Sequence, residues 1–146
     1  MGFVGQGIIL FLEKSESAQM GNVLQPYDKV NIPEDPIANF AADVGEDMVQ
    51  NLAGKIRPHS TLAFNSPQPA PAWADQAYAG RLAFIVTTLD KAIPEGAQRG
   101  MIAATQKNWM VEEMDCGHCA PFLNRIDECV RLLQGFLGVF EGLRTE

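Results

Sequence analysis

Apolar residues change their spacing along this chain, and the changes mark out its elements. After a glycine-rich start, the run Ile8-Ile9-Leu10-Phe11-Leu12 suits a short buried strand or a helical turn, and periodicity does not choose between them. From Asp35 the apolar residues fall at helical intervals: Ile37, Phe40 and Ala41, then Val44, Met48, Leu52 and Ile56. Asp35 followed by Pro36 reads as an N-cap and first helical position, and Asp43 with Glu46 three residues later reads as a capping box. Two short helices are predicted, the second limited by Pro58, with a further turn over residues 60–64. Prolines at 67, 69 and 71 then forbid a helix and favour an extended strap. Trp73 and Tyr78 suggest that this strap packs on its own protein rather than serving as a proline-rich ligand.

The last third alternates strand and helix. Leu82-Ala83-Phe84-Ile85-Val86-Thr87-Thr88 is a nearly continuous β-forming run, the pattern of a strand buried on both faces of a parallel sheet. It ends at Leu89-Asp90. Pro94 and Glu95 open a predicted helix to about Ala104, and residues 108–114 read as a second strand. Asn124 and Asp127 are placed as caps of a last helix, on which Ile126, Cys129, Val130, Leu133, Phe136, Leu137 and Phe140 share one broad face. Strand, helix, strand, helix predicts a right-handed α/β unit with a short, mostly parallel sheet.

Composition narrows the class. At 146 residues and 47% apolar content, the chain suits one modest domain with a real core. A formal charge of −7, with 11 Lys and Arg and no basic cluster, argues against a nucleic-acid partner. The run at 8–12 is far short of a membrane span and lacks the preceding positive charge of a signal peptide. Gln6 stands where an N-myristoylation signal needs Ser or Thr. Three cysteines are too few for a disulfide scaffold, so a cytoplasmic protein without membrane contact is expected. Gly5-Gln6-Gly7 is a fragment of a phosphate-loop pattern without the later glycine or the lysine, and no cofactor is expected.

In open α/β sheets, function gathers beyond the carboxyl ends of the strands. The first such end delivers Asp90, and the second delivers Asp115, Cys116, Gly117, His118 and Cys119. Loop-borne Asp and His are often simple caps, but the chain has only two histidines, which gives His118 more weight. Cys116-Gly117-His118-Cys119 also spells a thiol-disulfide redox motif, in which a helix N-terminus lowers one thiol's pKa. The 27 residues after Cys119 are nearly all claimed by one helix, leaving no room for the further strands and cis-proline loop of a thioredoxin fold. A zinc site built from Cys116, His118, Cys119 and Asp115 would draw on Cys129 and His59 only as distant donors, and no metal is expected.

From about residue 35 onward the chain resembles the α/β-hydrolase superfamily, in the branch that includes plant esterases and hydroxynitrile lyases. The resemblance is carried by Ser66-Pro67 and Ala72-Trp73, by Asp90-Lys91-Ala92-Ile93-Pro94 with Gln98 and Met101, and by Gly117-His118 with Pro121-Phe122-Leu123-Asn124-Arg125. It implies cap-like helices over about 35–65 and a C-terminal core over about 76–146, in one domain spanning 1–146. It further implies that Asp90 is the triad acid and that His118, 28 residues later, is the triad base. Ala120 is one residue more than the family's histidine loop holds. The family's Gly-x-Ser-x-Gly elbow is absent from this sequence, since none of Ser15, Ser17, Ser60 or Ser66 has flanking glycines. The expected fold is therefore a truncated α/β-hydrolase-like one, with a helical cap, completed by dimerisation.

Without an elbow serine, an acyl-enzyme route is closed to these residues, but a histidine oriented by a carboxylate can still act as a general base. The chain is similar to small hydrolase-like tailoring proteins of fungal polyketide pathways. That similarity implies epoxide hydrolysis or hydroxyl-driven cyclisation of an apolar polyketide, with His118 as base, Asp90 as its partner, and Asp115 or Glu113 as acid. The competing expectations are an inactive fragment that binds a ligand or partner, and the thiol redox protein. A homodimer is expected, because the strand at 82–88 needs both edges covered.

Overall fold

The computed structural model describes residues 25–26, 30–60, 67 and 69–142. The run at 8–12, the Gly5-Gln6-Gly7 fragment, Ser15, Ser17, Ser66 and the turn expected beyond Ser60 lie outside these residues. Three short strands, β1 (Gln25–Pro26), β2 (Val30–Ile32) and β3 (His59–Ser60), form an antiparallel sheet in the order β1-β2-β3. No periodicity in the sequence announced this sheet, because strands of two or three residues are too short to show one.

Between β2 and β3 lie two helices, α1 (Pro36–Phe40) and α2 (Glu46–Ala53). Asp35 caps α1 as expected, its side chain accepting the Ala38 N–H at 3.0 Å with Pro36 in the first turn. The capping box at Asp43 and Glu46 does not form. Gly45 is the N-cap of α2 and makes no side-chain cap, while the Asp43 carboxylate is engaged far along the chain. The helix also stops at Ala53, short of Ile56 and Pro58. The strap is extended at Pro71 and then tightens into single 3₁₀ turns at Ala72–Ala74 and Gln76–Tyr78.

The C-terminal region is a small α/β unit: β4 (Ala83–Thr87), α3 (Glu95–Ala104), β5 (Met110–Met114), α4 (Ala120–Leu123) and α5 (Ile126–Gly142). β4 and β5 pair in parallel, from Ala83 opposite Met110 to Thr87 opposite Met114. A parallel pair sends both carboxyl ends to the same side, so the loops after β4 and β5 meet there. Beneath them, Met114, Cys116, Ala120 and Cys129 are buried together, with Ile85 and Leu132 packed against them. This apolar cluster fixes the base of the loop that carries His118.

Burial departs from expectation in two places. β4 is fully buried only at Val86 and Thr87, whereas Ala83, Phe84 and Ile85 are half-buried. On α5, Cys129 and Phe136 are buried, but Ile126, Val130, Leu133 and Leu137 keep 44–58% of their surface exposed. Asn124 does not cap α5; it is the C-cap of α4, its backbone N–H donating to the Ala120 carbonyl at 3.2 Å. Its side-chain amide donates to the Asp43 carbonyl at 3.0 Å, and α5 begins after it with Asp127 and Glu128 in the first turn, where carboxylates favour the helix dipole. No helix among the described residues is long and apolar enough to cross a membrane.

Candidate active site

Asp90 ends the turn after β4, and both of its carboxylate oxygens are occupied. Oδ1 accepts the backbone N–H groups of Ala92 at 2.8 Å and Ile93 at 2.9 Å, a local turn that ties the carboxylate to its own loop. Oδ2 accepts the Thr87 hydroxyl at 3.0 Å and lies 2.8 Å from His118 Nδ1. Behind this stands Gln98 of α3, a buried amide that clasps the strand end. Its Oε1 accepts the Thr87 N–H at 3.0 Å, and its Nε2 donates to the carbonyls of Ile93 at 2.7 Å and Thr87 at 2.9 Å. The Asp90 carboxylate is thus aimed by two backbone amides and one hydroxyl, and Gln98 immobilises the residues that supply them.

The histidine loop is held as closely. Thr88 donates its N–H to the Met114 carbonyl at 3.0 Å, and Leu89 to that of Cys116 at 3.1 Å, so the two strand-end loops are zipped together. The His118 ring lies against Phe40 of α1, with centroids 5.3 Å apart and planes tilted by 56°. A carboxylate facing Nδ1 selects the tautomer protonated there. Nε2 then carries the lone pair, and it has no hydrogen-bond partner among the described residues.

Burial separates the two partners: the Asp90 side chain is 3% exposed and that of His118 34%. Burial pushes the Asp90 carboxyl up. The hydrogen bond with His118, the Ile93 N–H, the charge of His118 and the Thr87 hydroxyl together outweigh it, and hold the carboxyl below its ordinary value. A carboxyl whose pKa falls on folding stabilises the native state above its unfolded pKa, and that contribution disappears as pH drops through the folded one. The stability difference between wild type and Asp90→Asn is accordingly expected to be constant above about pH 5 and to shrink below about pH 4. Urea unfolding at a series of pH values measures it, and a difference that persists unchanged at pH ~2 would contradict the assignment.

A cleft of about 740 Å³ opens beside the pair. Its lining runs from Arg81 to Asp90, so it follows β4 along its length with the dyad at the carboxyl end. Phe84 and Ile85 of β4, Met101 of α3, Phe122 of α4, and Leu133 and Phe136 of α5 supply apolar walls. A cleft of this size and lining has room for one apolar small molecule.

The other two candidate acids are placed elsewhere. Glu113 pairs with Arg99, which also holds Glu95 at 2.8 Å, and the cluster is exposed. Asp115 accepts the Thr88 hydroxyl at 2.9 Å. Neither lines the cleft, because β5 turns Glu113 toward α3 and Asp115 is spent on joining the two loops. The structure thus brings together His118 and Asp90 and leaves Glu113 and Asp115 outside.

The three cysteines are free thiols. Burial, reinforced by the Asp43 carboxylate, pushes the Cys116 thiol up to about 11. Burial, then Asp90 and Asp43, also raise Cys119. A redox motif requires the opposite, a thiol lowered by positive surroundings. Cys116 should therefore react with thiol reagents at neutral pH on the order of 100-fold more slowly than an ordinary cysteine. Cys116→Ser with Cys119→Ser should keep most activity, where a thiol mechanism predicts complete loss. No group of three or more His, Cys, Asp or Glu among the described residues is arranged to hold a metal ion.

Thr87, Asp43 and Phe40 were not read as site residues from the sequence, and Gln98 entered only as part of a resemblance. Thr87 carries one available signal, a polar residue at the end of an apolar run, and Gln98, between Ala97 and Arg99, carries none of that kind. Asp43 carries none, since local spacing makes it a helix cap. No family model, curated protein or solved structure matches the chain.

Proposed function

We propose that the protein is a hydrolase-like enzyme of the α/β-hydrolase type that uses His118 and Asp90 as a general-base dyad on an apolar small molecule, an epoxide-bearing polyketide. The observation that carries this reading is the 2.8 Å contact from Asp90 Oδ2 to His118 Nδ1 beside an apolar cleft. A histidine so oriented takes a proton at Nε2 and contributes roughly two to four orders of magnitude. In epoxide hydrolysis, water attacks a ring carbon and gives its proton to Nε2 as the carbon–oxygen bond breaks. The imidazolium then returns that proton to the new alkoxide, so the product is a diol and the histidine is regenerated. If a substrate hydroxyl replaces water, the same proton path closes a ring. Glu113 and Asp115 have no part in either step, because both lie outside the cleft.

Incubation with epoxide-bearing apolar polyketides in ¹⁸O-water, followed by mass analysis, tests this directly. One labelled oxygen per product supports hydrolysis, an unlabelled isomer of the substrate supports cyclisation, and unchanged substrate counts against both.

A second reading, a binding module without turnover, is favoured by the half-exposed apolar side chains of α5. It predicts saturable ligand binding and no product in the same incubation.

The proposed assembly is a homodimer that covers Ile126 and Val130 of α5, which lie outside the cleft, and the edge of β4 left open among the described residues, burying at least roughly 1,000 Å² in total. Sedimentation at micromolar concentration should give the dimer mass, and a monomer there would remove this part of the proposal.

A further inference from the structure

The loop that carries His118 is anchored by a segment 74 residues away in sequence. Gly117 donates its backbone N–H to Asp43 Oδ2 at 2.6 Å. On the other side of the histidine, Cys119 donates its N–H to the Phe40 carbonyl at 2.9 Å. Asn124 adds a third tie, from its amide to the Asp43 carbonyl at 3.0 Å. Both residues flanking His118 are therefore tied through their backbone N–H groups to the short stretch from Phe40 to Asp43, and the Phe40 ring lies against the imidazole itself. Residue 117 must be glycine for the carboxylate to come so close. A Cβ there would stand 2.5 Å from Asp43 Oδ1, nearer than real Cβ atoms approach.

We propose that Asp43 is a positioning residue whose acceptance of the Gly117 N–H presents the His118 ring to Asp90 with its proton on Nδ1. It touches no reacting atom and acts through the backbone of the histidine loop. A backbone amide bonded to a carboxylate is a strong, short tie, and one placed next to the working residue sets the direction of its Cα–Cβ bond. Its consequence for turnover rests on the dyad reading proposed above. Its consequence for the imidazole does not, so the two can fail separately.

Long-range ¹⁵N–¹H NMR of the whole chain at mildly alkaline pH reads the tautomer without any substrate. The chain has two histidines, and His59 serves as the internal reference. Wild type is expected to show His118 protonated at Nδ1, with the Gly117 amide protected from hydrogen exchange. Asp43→Ala should move His118 toward the Nε2-protonated form that free imidazole prefers, and speed Gly117 exchange about ten-fold or more, while the fold still melts cooperatively. Gly117→Ala, which drives the carboxylate off, should give the same imidazole spectrum. Asp43→Asn keeps an oxygen acceptor and should retain the wild-type tautomer.

A folded Asp43→Ala or Gly117→Ala protein with the wild-type His118 spectrum would overturn the proposal. So would an unprotected Gly117 amide in the wild-type chain, which decides the matter even if both variants fail to fold. Loss of turnover in Asp43→Ala with the tautomer unchanged would assign Asp43 some other role.

Discussion

Replacing His118 by alanine is expected to abolish turnover of an epoxide-bearing substrate, and replacing Asp90 by asparagine to reduce it by about two to four orders of magnitude. The two losses differ in kind. Alanine removes the only imidazole in the cleft and with it the proton acceptor. Asparagine keeps the acceptor oxygen that binds the Ala92 and Ile93 amides, so the loop stays in place, but it no longer supplies a negative charge to Nδ1. The imidazole can then turn its proton to Nε2, which leaves no lone pair for water, and an imidazolium formed in the reaction has no counter-charge. Both variants should fold, since His118 is a third exposed and the asparagine is nearly isosteric. Steady-state rates for the three proteins, with circular dichroism as the folding control, check all of this. Full activity in both single variants would end the dyad mechanism and leave the binding module standing.

Gln98→Ala should be the most damaging substitution for stability, costing about 3 kcal/mol. Gln98 is 3% exposed and gives both ends of its amide to the backbone. Removing it leaves the buried Thr87 N–H and carbonyl and the part-buried Ile93 carbonyl without their partner, and a buried polar group left unpaired costs about 1–3 kcal/mol. A cavity adds to that. Urea unfolding should show a lower midpoint with an unchanged slope. Activity should fall further than the unfolded fraction explains, because Thr87 and Ile93 are the groups that aim Asp90. A loss under about 1 kcal/mol would mean that water or a neighbour replaces the amide.

How much of this was legible beforehand depends on how local each feature is. The run from Leu82 to Thr88, the Pro94-Glu95 helix start and the Asp35-Pro36 cap all formed within two residues of their expected places, because propensity and capping act between near neighbours. Two parallel strands followed by Asp90 and His118 suffice to place those side chains at one end of the sheet, and the sequence determined that much by itself. It did not determine which other polar residues join them. Glu113 and Asp115 had the right chemistry and the right neighbourhood, yet strand register turned one toward Arg99 and loop closure spent the other on Thr88. Asp43 had the spacing of a helix cap, and the tertiary fold used it for Gly117 instead, because a short bond to an otherwise unpaired amide in the histidine loop outweighs a surface cap that Gly45 replaces at little cost. The partial exposure of α5 was equally invisible, since an amphipathic pattern specifies an apolar face but not what lies opposite it. Local sequence decided the strand–helix–strand–helix elements of the C-terminal unit and the two loop residues of the dyad; only the packing of distant segments decided what holds that dyad in place.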